Sequence, residues 1–273
     1  MICEVKAYAK INLGLKILRR DRNGYHKLQS IMSLIDLHDD IMFEESDKIE
    51  VITTPYVCDE KINLCYRVAE YMKKYTNGNK GIRIIVNKRI PVGGGLGGGS
   101  SNAAAVMLFL NDYWDINFSR KKIMKIAFSF GADIPFFING EQSFVYGYGE
   151  KMKPLKKKRA GDIVLVIPPF SLNTKKVFIN FDKMNMNKKN VKSVYSENIF
   201  NDLEESANDI SNNQIAQIKA TIKKVGSGEV FMSGSGSTIV YYVAEGEDSK
   251  KVSEQIKEKL NGVKVILSKI KTN

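Results

Sequence analysis

A glycine-rich segment is the feature that most constrains how this 273-residue chain can fold. The segment, PVGGGLGGGSS, spans residues 91–101 and holds six glycines. A strand-like run, GIRIIV at 81–86, precedes it, and apolar residues at helical spacing follow it over 103–110. This order predicts a strand, a tight loop and an amphipathic helix that starts near Ser100 and ends near Trp114.

Such a loop is suited to bind the phosphate groups of a nucleotide. Glycine adopts positive φ angles and lets the backbone approach a ligand closely. The first N–H groups of the helix that follows attract anions as well. A flexible surface linker is the alternative explanation, but a linker is rarely joined directly to a well-patterned helix. We therefore predict an anion site where the loop meets the helix.

Two better-known phosphate loops fit this sequence poorly. A Walker A loop ends in Gly-Lys-Ser/Thr, whereas Ser100 directly follows Gly99 here. The dinucleotide pattern GxGxxG matches trivially among so many glycines, as Gly93, Gly95 and Gly98. The expected acidic residue about 20 positions further on is missing, because basic residues stand there. The sequence therefore disfavours both a P-loop NTPase and a dinucleotide-dependent dehydrogenase.

Further strand and helix patterns run along the rest of the chain. Strands are predicted at 4–16, 28–41, 49–53, 142–149, 162–168 and 239–244. Helices are predicted at 62–75, 119–130 and 249–260 and within 208–223, with an Asn-Gly turn at 23–24 and a polar loop at 185–190. The segment Lys151–Arg159 is strongly basic and predicts a linker or a domain edge, so we divide the chain into domains 1–156 and 157–273.

Charge and composition narrow the class of partner. Lys and Arg number 42 against 30 Asp and Glu, and the net charge of +12 favours nucleic acid, membrane headgroups or a small phosphorylated molecule. No run approaches the ~18 apolar residues of a membrane span, and charges interrupt the first residues where a signal peptide is apolar. We therefore expect a cytoplasmic protein. Its cysteines, Cys3, Cys58 and Cys65, are expected to be reduced and mostly buried, and the presence of only two histidines argues against a zinc site.

The segment PVGGGLGGGSSNAAA resembles the phosphate-binding motif of the GHMP kinases, whose general form is Pro-x3-Gly-Leu-Gly-Ser-Ser-Ala-Ala. Four further segments resemble, in order along nearly the whole chain, the members of that family that phosphorylate 4-diphosphocytidyl-2-C-methyl-D-erythritol. They are AYAKINLGLKILRRDRNGYHKLQSIMSLIDLHDDI at 7–41, GADIPFFI at 131–138, NDLE at 201–204 and MSGSGST at 232–238.

The resemblance implies an α+β chain with a two-domain GHMP kinase fold. Its N-terminal domain would be similar to ribosomal protein S5, its C-terminal domain would have ferredoxin-like topology, and the active site would lie in the cleft between them. The implied reaction transfers the γ-phosphate of ATP to the 2-hydroxyl of the cytidyl substrate, a step of non-mevalonate (methylerythritol phosphate) isoprenoid synthesis. ATP is then a substrate, Mg²⁺ is expected with it, and the partners are small polyanionic molecules rather than nucleic acid or membrane.

The resemblance also assigns two residues to catalysis. Asp133, in Ala-Asp-Ile-Pro, would take the proton of the attacking hydroxyl, although its position alone is equally typical of a turn aspartate. Lys10 alone is typical of an outward-facing strand lysine. The family pattern places it beside Asp133, where an ammonium keeps the carboxylate ionised and stabilises developing negative charge.

Four residues are candidates for binding the substrate. Asn12 lies two positions after Lys10 and shares its face of the strand, where it is expected to donate a hydrogen bond in the same site. By resemblance, Tyr25 would stack on the cytosine ring and His26 would hydrogen-bond its polar edge, although both positions are also typical of an exposed turn. Phe178 is either the second face of that sandwich or a core residue.

The remaining candidates bind ATP or close the site. The ATP-binding residues are those of the glycine-rich segment: Pro91, Val92, Gly93, Gly94, Gly95, Leu96, Gly97, Gly98, Gly99, Ser100 and Ser101. The two serines suit a helix cap, and Ser101 is the residue that we consider as a ligand of Mg²⁺. The resemblance implies that Gly234, Ser235 and Gly236 close the site, with a hairpin turn as the alternative. Three acids are expected at the surface: Asp36, Asp39 and Asp40.

Two other functions fit parts of this sequence. Another GHMP kinase, of the homoserine or mevalonate type, shares the glycine-rich segment, but the Tyr25–His26 pair argues against it. A basic nucleic-acid-binding protein fits the charge, yet the sequence lacks RNP-like aromatic, KH and helix-turn-helix patterns. A relative without catalytic activity is disfavoured because Lys10, Asp133 and the glycines are all present.

Overall fold

The computed structural model describes residues 1–22, 24–76, 80–185, 194 and 199–272. Within these residues the strands are β1 Cys3–Arg20, β2 His26–Glu44, β3 Ile49–Thr54, β4 Ile82–Asn87, β5 Ser143–Gly147, β6 Lys151–Pro154, β7 Gly161–Ile167, β8 Glu229–Met232, β9 Ile239–Tyr242 and β10 Lys264–Ile270. The helices are α1 Leu64–Lys73, α2 Gly98–Tyr113, α3 Arg120–Phe130, α4 Ile134–Asn139, α5 Thr174–Asn185, α6 Glu204–Ile210, α7 Gln214–Ile222 and α8 Ser249–Lys259, with a short 3-10 helix at Glu60–Ile62.

The N-terminal half is a sheet with helices on one face. Strands β1 and β2 form a long antiparallel pair, β2 also pairs with β4 and β5, and β3 runs parallel to β4. In β4 the residues Ile82, Ile84 and Val86 are buried while their neighbours are only half-buried, as alternation predicts for a strand with one face on a core. Helices α1 to α4 supply the other side of that core, which includes Met107 and Trp114.

The C-terminal half has ferredoxin-like topology. Its antiparallel sheet has the order β10-β7-β9-β8, and helices connect β7 to β8 and β9 to β10 in a βαββαβ arrangement. Strand β10 also pairs with β2 through Ile270 and Ile35, which joins the two sheets. One buried cluster draws residues from both halves, among them Ile11, Phe231 and Val240. The predicted two-domain GHMP kinase fold is confirmed, and its halves meet along β1 and β2.

The linker prediction was wrong for the first part of the basic segment. The basic segment after residue 150 does not begin as a linker, because Lys151–Pro154 forms β6 and pairs with β5 at the sheet edge. Exposed lysines on an edge strand are a common device against edge-to-edge association. The helical structure predicted within 208–223 is confirmed by the end of α6 and by α7, which are separated because Asn212 and Asn213 adopt left-handed φ angles of 51° and 64°.

The structure leaves the predicted domain boundary and most of the predicted polar loop untested. The domain boundary after residue 156 stays a prediction; it falls between β6 and β7. Most of the predicted polar loop at 185–190, and Asn23 of the predicted turn, lie outside the described residues. In the described ranges, none of the helices combines the length and the apolar character that a bilayer crossing requires.

Candidate active site

A cleft of about 1130 Å³ opens between the two halves of the molecule. Strand β1, the glycine-rich segment, the residues before α4, the turn before β2 and helix α5 all contribute to its walls. Most of the site residues predicted from the sequence line it: Lys10, Asn12, Tyr25, His26, Pro91, Val92, Gly93, Gly94, Gly95, Leu96, Gly97, Gly98, Gly99, Ser100, Asp133, Phe178, Gly234 and Ser235.

Lys10 and Asp133 form an ion pair in this cleft. Lys10 Nζ lies 3.8 Å from Asp133 Oδ2, and only 4% of Lys10 is exposed. The Asp133 side chain is 43% exposed, so its carboxylate can be reached by a ligand. Lys10 Nζ also donates a 2.7 Å hydrogen bond to Asn12 Oδ1, and Asn12 Nδ2 donates to Ser30 Oγ at 2.8 Å. Asn12 therefore holds the lysine in position, and one of its two N–H donors is used within the protein.

Burial and charge act on Lys10 in opposite directions. Desolvation is the larger effect and lowers the pKa of Lys10, while the charge and hydrogen bond of Asp133 raise it. The two groups therefore depend on each other, because the carboxylate favours the ammonium form of a lysine that burial disfavours. Such a pair places one accessible proton acceptor next to one buried positive charge.

The glycine-rich segment packs so closely that side chains are excluded. Gly97 has φ +73°, and a Cβ there would lie 2.7 Å from Phe137 Cζ and 3.1 Å from Lys10 Cγ. Gly95 has φ +75°, and a Cβ there would overlap the carbonyl oxygen of Ser233. Glycine is required at both positions because an L side chain would meet backbone strain and a clash at once. The segment is thus an ordered part of the site.

The carbonyl oxygens of this segment bond to the protein. Lys10 N donates to Leu96 O at 3.0 Å, Thr238 N donates to Gly94 O at 3.2 Å, and Ser233 Oγ donates to Gly95 O at 3.2 Å. Since the first N–H groups of a helix lack partners within it, those at the start of α2 are left for an anion in the cleft. The backbone here can hold phosphate groups with N–H donors and the positive end of the helix dipole.

Ser101 does not face the cleft. Its side chain is buried, and Oγ donates a 2.6 Å hydrogen bond to Tyr8 O on β1. The hydroxyl ties α2 to the sheet, so the assignment of Ser101 to ATP or Mg²⁺ finds no support in its position. Ser100, one residue earlier on the helix, does line the cleft. Within the described ranges, no group of three or more His, Cys, Asp and Glu side chains could hold a metal ion.

The loop after β8, which holds Gly234, Ser235 and Gly236, contacts the glycine-rich segment. Asn201 holds this loop, because its Nδ2 donates to Met232 O at 2.8 Å and to Gly234 O at 2.7 Å. Ser235 Oγ hydrogen-bonds Thr174 Oγ1 at 2.8 Å, which links the loop to the start of α5. Asn201 belongs to the NDLE segment, but no local sequence pattern indicates this role.

The surface location expected for Asp39 was wrong. Asp39 is fully buried, forms an ion pair with Lys88, and accepts hydrogen bonds from Arg89 N at 2.7 Å, Ile90 N at 2.8 Å and Asn102 Nδ2 at 2.9 Å. It therefore fixes both ends of the glycine-rich segment, the entry at 88–90 and the first turns of α2. Asp40 is buried as well, whereas Asp36 is exposed.

A signal for Asp39 did exist in the sequence. Asp39, Ile41 and Phe43 are spaced two apart on β2, and all three are buried. An acid on the inward face of a strand needs a buried partner. That partner, Lys88, is 49 residues away along the chain, so local pattern analysis could not supply it.

The aromatic candidates lie at the other end of the cleft. Tyr25 is 70% exposed, whereas the side chain of His26 is only 7% exposed. The rings of His26 and Phe178 have centroids 5.2 Å apart and are tilted by 33°. Phe178 is thus brought to the turn that carries Tyr25 and His26, and it also packs against the C-terminal core. Phe178 therefore packs on the core, and its place in a sandwich around a base stays a prediction.

A third region of the cleft is apolar. Beyond the glycine-rich segment, its walls include Val57, Ile62, Leu64 and Val86. These side chains offer the flat apolar surroundings that suit a purine base next to a phosphate site. The cleft therefore combines an apolar region, an anion site, a Lys–Asp pair and an aromatic region in one continuous space.

Comparison with known proteins identifies the family of this chain. The family model described as GHMP kinases N terminal domain matches residues 63–141, and the one described as GHMP kinases C terminal matches residues 188–262. A 4-diphosphocytidyl-2-C-methyl-D-erythritol kinase from Thermodesulfovibrio yellowstonii is 36% identical over 250 residues, which cover 86% of this chain and 87% of the relative.

Solved structures give the same result. A crystal structure of 4-(cytidine 5'-diphospho)-2C-methyl-D-erythritol kinase is similar with a TM-score of 0.83 and 28% identity, over 99% of this chain and 100% of that one. The Methanococcus jannaschii mevalonate kinase has a TM-score of 0.67 at 14% identity, over 99% of this chain and 98% of its own, and so shares the fold alone. The chain belongs to the GHMP kinase family, within its group of 4-diphosphocytidyl-2-C-methyl-D-erythritol kinases.

Proposed function

We propose that this protein transfers the γ-phosphate of ATP to the 2-hydroxyl of 4-diphosphocytidyl-2-C-methyl-D-erythritol, giving the 2-phosphate and ADP. The observation that carries the proposal is the position of the Lys10–Asp133 pair. It lies in the same cleft as the glycine-rich anion site and the aromatic residues Tyr25, His26 and Phe178. One substrate can thus enter from each end and meet the other at the pair.

The glycine-rich segment is proposed to hold the phosphates of ATP. Its backbone N–H groups and the start of α2 would bind the anionic oxygens, and the apolar region near Val57 and Leu64 would hold the base. Mg²⁺ is proposed to enter as part of the nucleotide substrate, since Mg²⁺ is usually held by phosphates with one or two carboxylates. Asp133, with a carboxylate, and Ser100, with a hydroxyl, line the cleft and would be available to contact it there.

Asp133 is proposed to accept the proton of the attacking hydroxyl. Its carboxylate is accessible and only one positive side chain is paired with it in the described part of the chain, so an acceptor oxygen is free for the substrate. Lys10 would stabilise the negative charge that develops on the oxygens during transfer. Because Asn12 fixes Lys10 Nζ, the charge is in place before the substrates arrive.

The cytidyl group is proposed to bind at the aromatic end. Tyr25 is exposed enough to move onto a base, and Phe178 offers a second ring across the turn. Homoserine and mevalonate carry no aromatic base, so a kinase for either alcohol would have no use for these rings. The net charge of +12 suits two polyanionic small molecules, and the proposal includes a cytoplasmic location without a nucleic-acid or membrane partner.

A coupled assay of ADP release tests the substrate directly. Purified protein is supplied with ATP, Mg²⁺ and, in parallel, the cytidyl substrate, homoserine, mevalonate or galactose. We expect turnover with the cytidyl substrate alone, because it is the only one of the four alcohols that carries an aromatic base for the end of the cleft lined by Tyr25 and Phe178. Turnover with another alcohol, or with none of the four, would contradict the proposed function and leave the fold unaffected.

A further inference from the structure

An ion pair joins the turn before β2 to helix α5 across the cleft, and the proposed reaction does not use it. Asp182 Oδ1 lies 2.6 Å from His26 Nε2, and Asp182 Oδ2 lies 3.2 Å from Arg20 Nη1. His26 and Asp182 are 156 residues apart along the chain. One carboxylate on the C-terminal half therefore contacts two side chains of the N-terminal half.

The imidazole of His26 is held from several sides. Phe178 and Asp182 are four residues apart on α5, so they lie on the same face of the helix. The Phe178 ring lies 5.2 Å from the His26 ring, and the Phe181 ring meets it edge-on at 6.2 Å. With its side chain only 7% exposed, His26 has little freedom to rotate. The Asp182 carboxylate therefore decides which ring nitrogen remains for a ligand.

An ionised carboxylate can only accept a hydrogen bond. The hydrogen of the His26–Asp182 contact must therefore sit on Nε2, and in the neutral ring Nδ1 is then an acceptor. Cytosine carries one exocyclic amine, a donor that suits this acceptor, whereas uracil has a carbonyl oxygen in its place. The contact therefore favours cytosine over uracil as the base that His26 binds.

We propose that Asp182 is a positioning residue that holds His26 with Nε2 engaged, so that Nδ1 accepts a hydrogen bond from the cytosine amine and uracil is rejected. The inference rests on the proposed function. The same carboxylate also connects to the turn through Arg20. Arg20 Nε donates to Gly24 O at 3.0 Å, while Nη1 contacts Asp182. The turn that carries Tyr25 is thereby fixed relative to Phe178 before a base enters, which lowers the entropic cost of binding.

Kinetics separate this role from a purely structural one. We expect Asp182→Ala to raise the KM for the cytidyl substrate about tenfold or more, as loss of a hydrogen bond to a charged group does. The KM for ATP should change by less than about twofold, since ATP binds at the other end of the cleft. Asp182→Asn, which keeps an acceptor oxygen, should recover part of the loss. The matched control is Asp36→Asn, an exposed acid on β2 outside the cleft.

Binding of two nucleotides tests the choice of base. Wild-type protein is expected to bind CDP more tightly than UDP, and Asp182→Ala is expected to lose most of that preference. A preference that is unchanged in Asp182→Ala would overturn the proposal, as would equal rises in KM for both kinase substrates.

Nitrogen-15 NMR of the imidazole rings reads the contact without any substrate. The chain has two histidines, so a His38→Gln variant identifies the signals of His26. We expect a hydrogen on Nε2 of His26 in the wild type and a changed distribution between the two nitrogens in Asp182→Ala, with no change in Asp36→Asn. A wild-type ring without hydrogen on Nε2, or an unchanged Asp182→Ala spectrum, would contradict the proposal. If the cytidyl substrate is not turned over, the proposed function fails, and the NMR and nucleotide-binding results still decide the role of Asp182.

Discussion

Replacing Asp133 with asparagine is expected to lower kcat about 10³-fold while the KM for ATP stays within about twofold, because a general base typically contributes 10²–10⁴-fold. Asparagine has nearly the same size and keeps a hydrogen-bonding oxygen, but it cannot accept the proton of the substrate hydroxyl. The nucleotide site should be unaffected, since the glycine-rich segment is held by Lys10 N, Thr238 N and Ser233 Oγ rather than by the carboxylate. Steady-state kinetics with ATP and the cytidyl substrate measure both constants.

The control for this variant is again Asp36→Asn, which removes one exposed carboxylate outside the cleft and should leave kcat unchanged. A thermal melt of Asp133→Asn verifies that the fold is intact, because the buried Lys10 loses its charged partner in this variant. An Asp133→Asn protein that folds and keeps more than about a tenth of wild-type kcat would rule out Asp133 as the base, since even the weakest general bases contribute more.

Replacing Gly95 with alanine is expected to abolish ATP-dependent activity and to lower the free energy of unfolding by about 1–3 kcal/mol. The residue has φ +75°, and the added Cβ would overlap Ser233 O and lie 3.0 Å from Gly236 O. Both neighbours are backbone atoms of the loop after β8, so the clash cannot be relieved by rotating a side chain. The anion site and that loop would separate, and the N–H groups would no longer converge on the phosphates.

Gly99 provides a matched substitution four residues further on in the same segment. A Cβ at Gly99 would meet only Leu64 Cδ1, at 3.9 Å, and the residue lies in the first turn of α2. Alanine favours a helix more than glycine does, so Gly99→Ala should be at least as stable as the wild type. Urea unfolding of the two variants provides the comparison. Equal unfolding midpoints for the two variants would show that close packing is not the reason why glycine occupies position 95.

The sequence identified the parts of the site that depend on local pattern. The order of strand, glycine-rich segment and helix was predicted from spacing alone, and Ala103, Val106, Met107 and Leu110 are all buried on α2 as their spacing indicates. Ser119, the first residue of the helix predicted at 119–130, caps α3, since its Oγ accepts from Lys122 N at 3.4 Å. These features were predictable because the residues that determine them are neighbours along the chain.

What the sequence did not reveal depends on residues that are far apart. The burial of Asp39 depends on Lys88, and the orientation of His26 depends on Asp182. The partners are 49 and 156 residues apart, so neither pair is visible in a window of a dozen residues. The segment Lys151–Arg159 also depends on a partner that local pattern does not show. Its charge suggests a linker, but pairing with β5 makes its first part a strand. The cleft itself followed from the family resemblance, and only the structure joined Asn12 to Lys10 and removed Ser101 from the cleft.

Phosphorus-31 NMR of the products of ATP, Mg²⁺ and 4-diphosphocytidyl-2-C-methyl-D-erythritol tests the central claim most directly. We expect one new phosphomonoester signal, whose intensity grows in proportion to the ADP formed, while the signals of the substrate's diphosphate bridge remain. Because C2 of the substrate carries a methyl group and no hydrogen, that signal should show no splitting by a proton three bonds away. A split signal would place the phosphate on another hydroxyl, and the appearance of CMP or of inorganic phosphate alone would contradict phosphoryl transfer to this substrate.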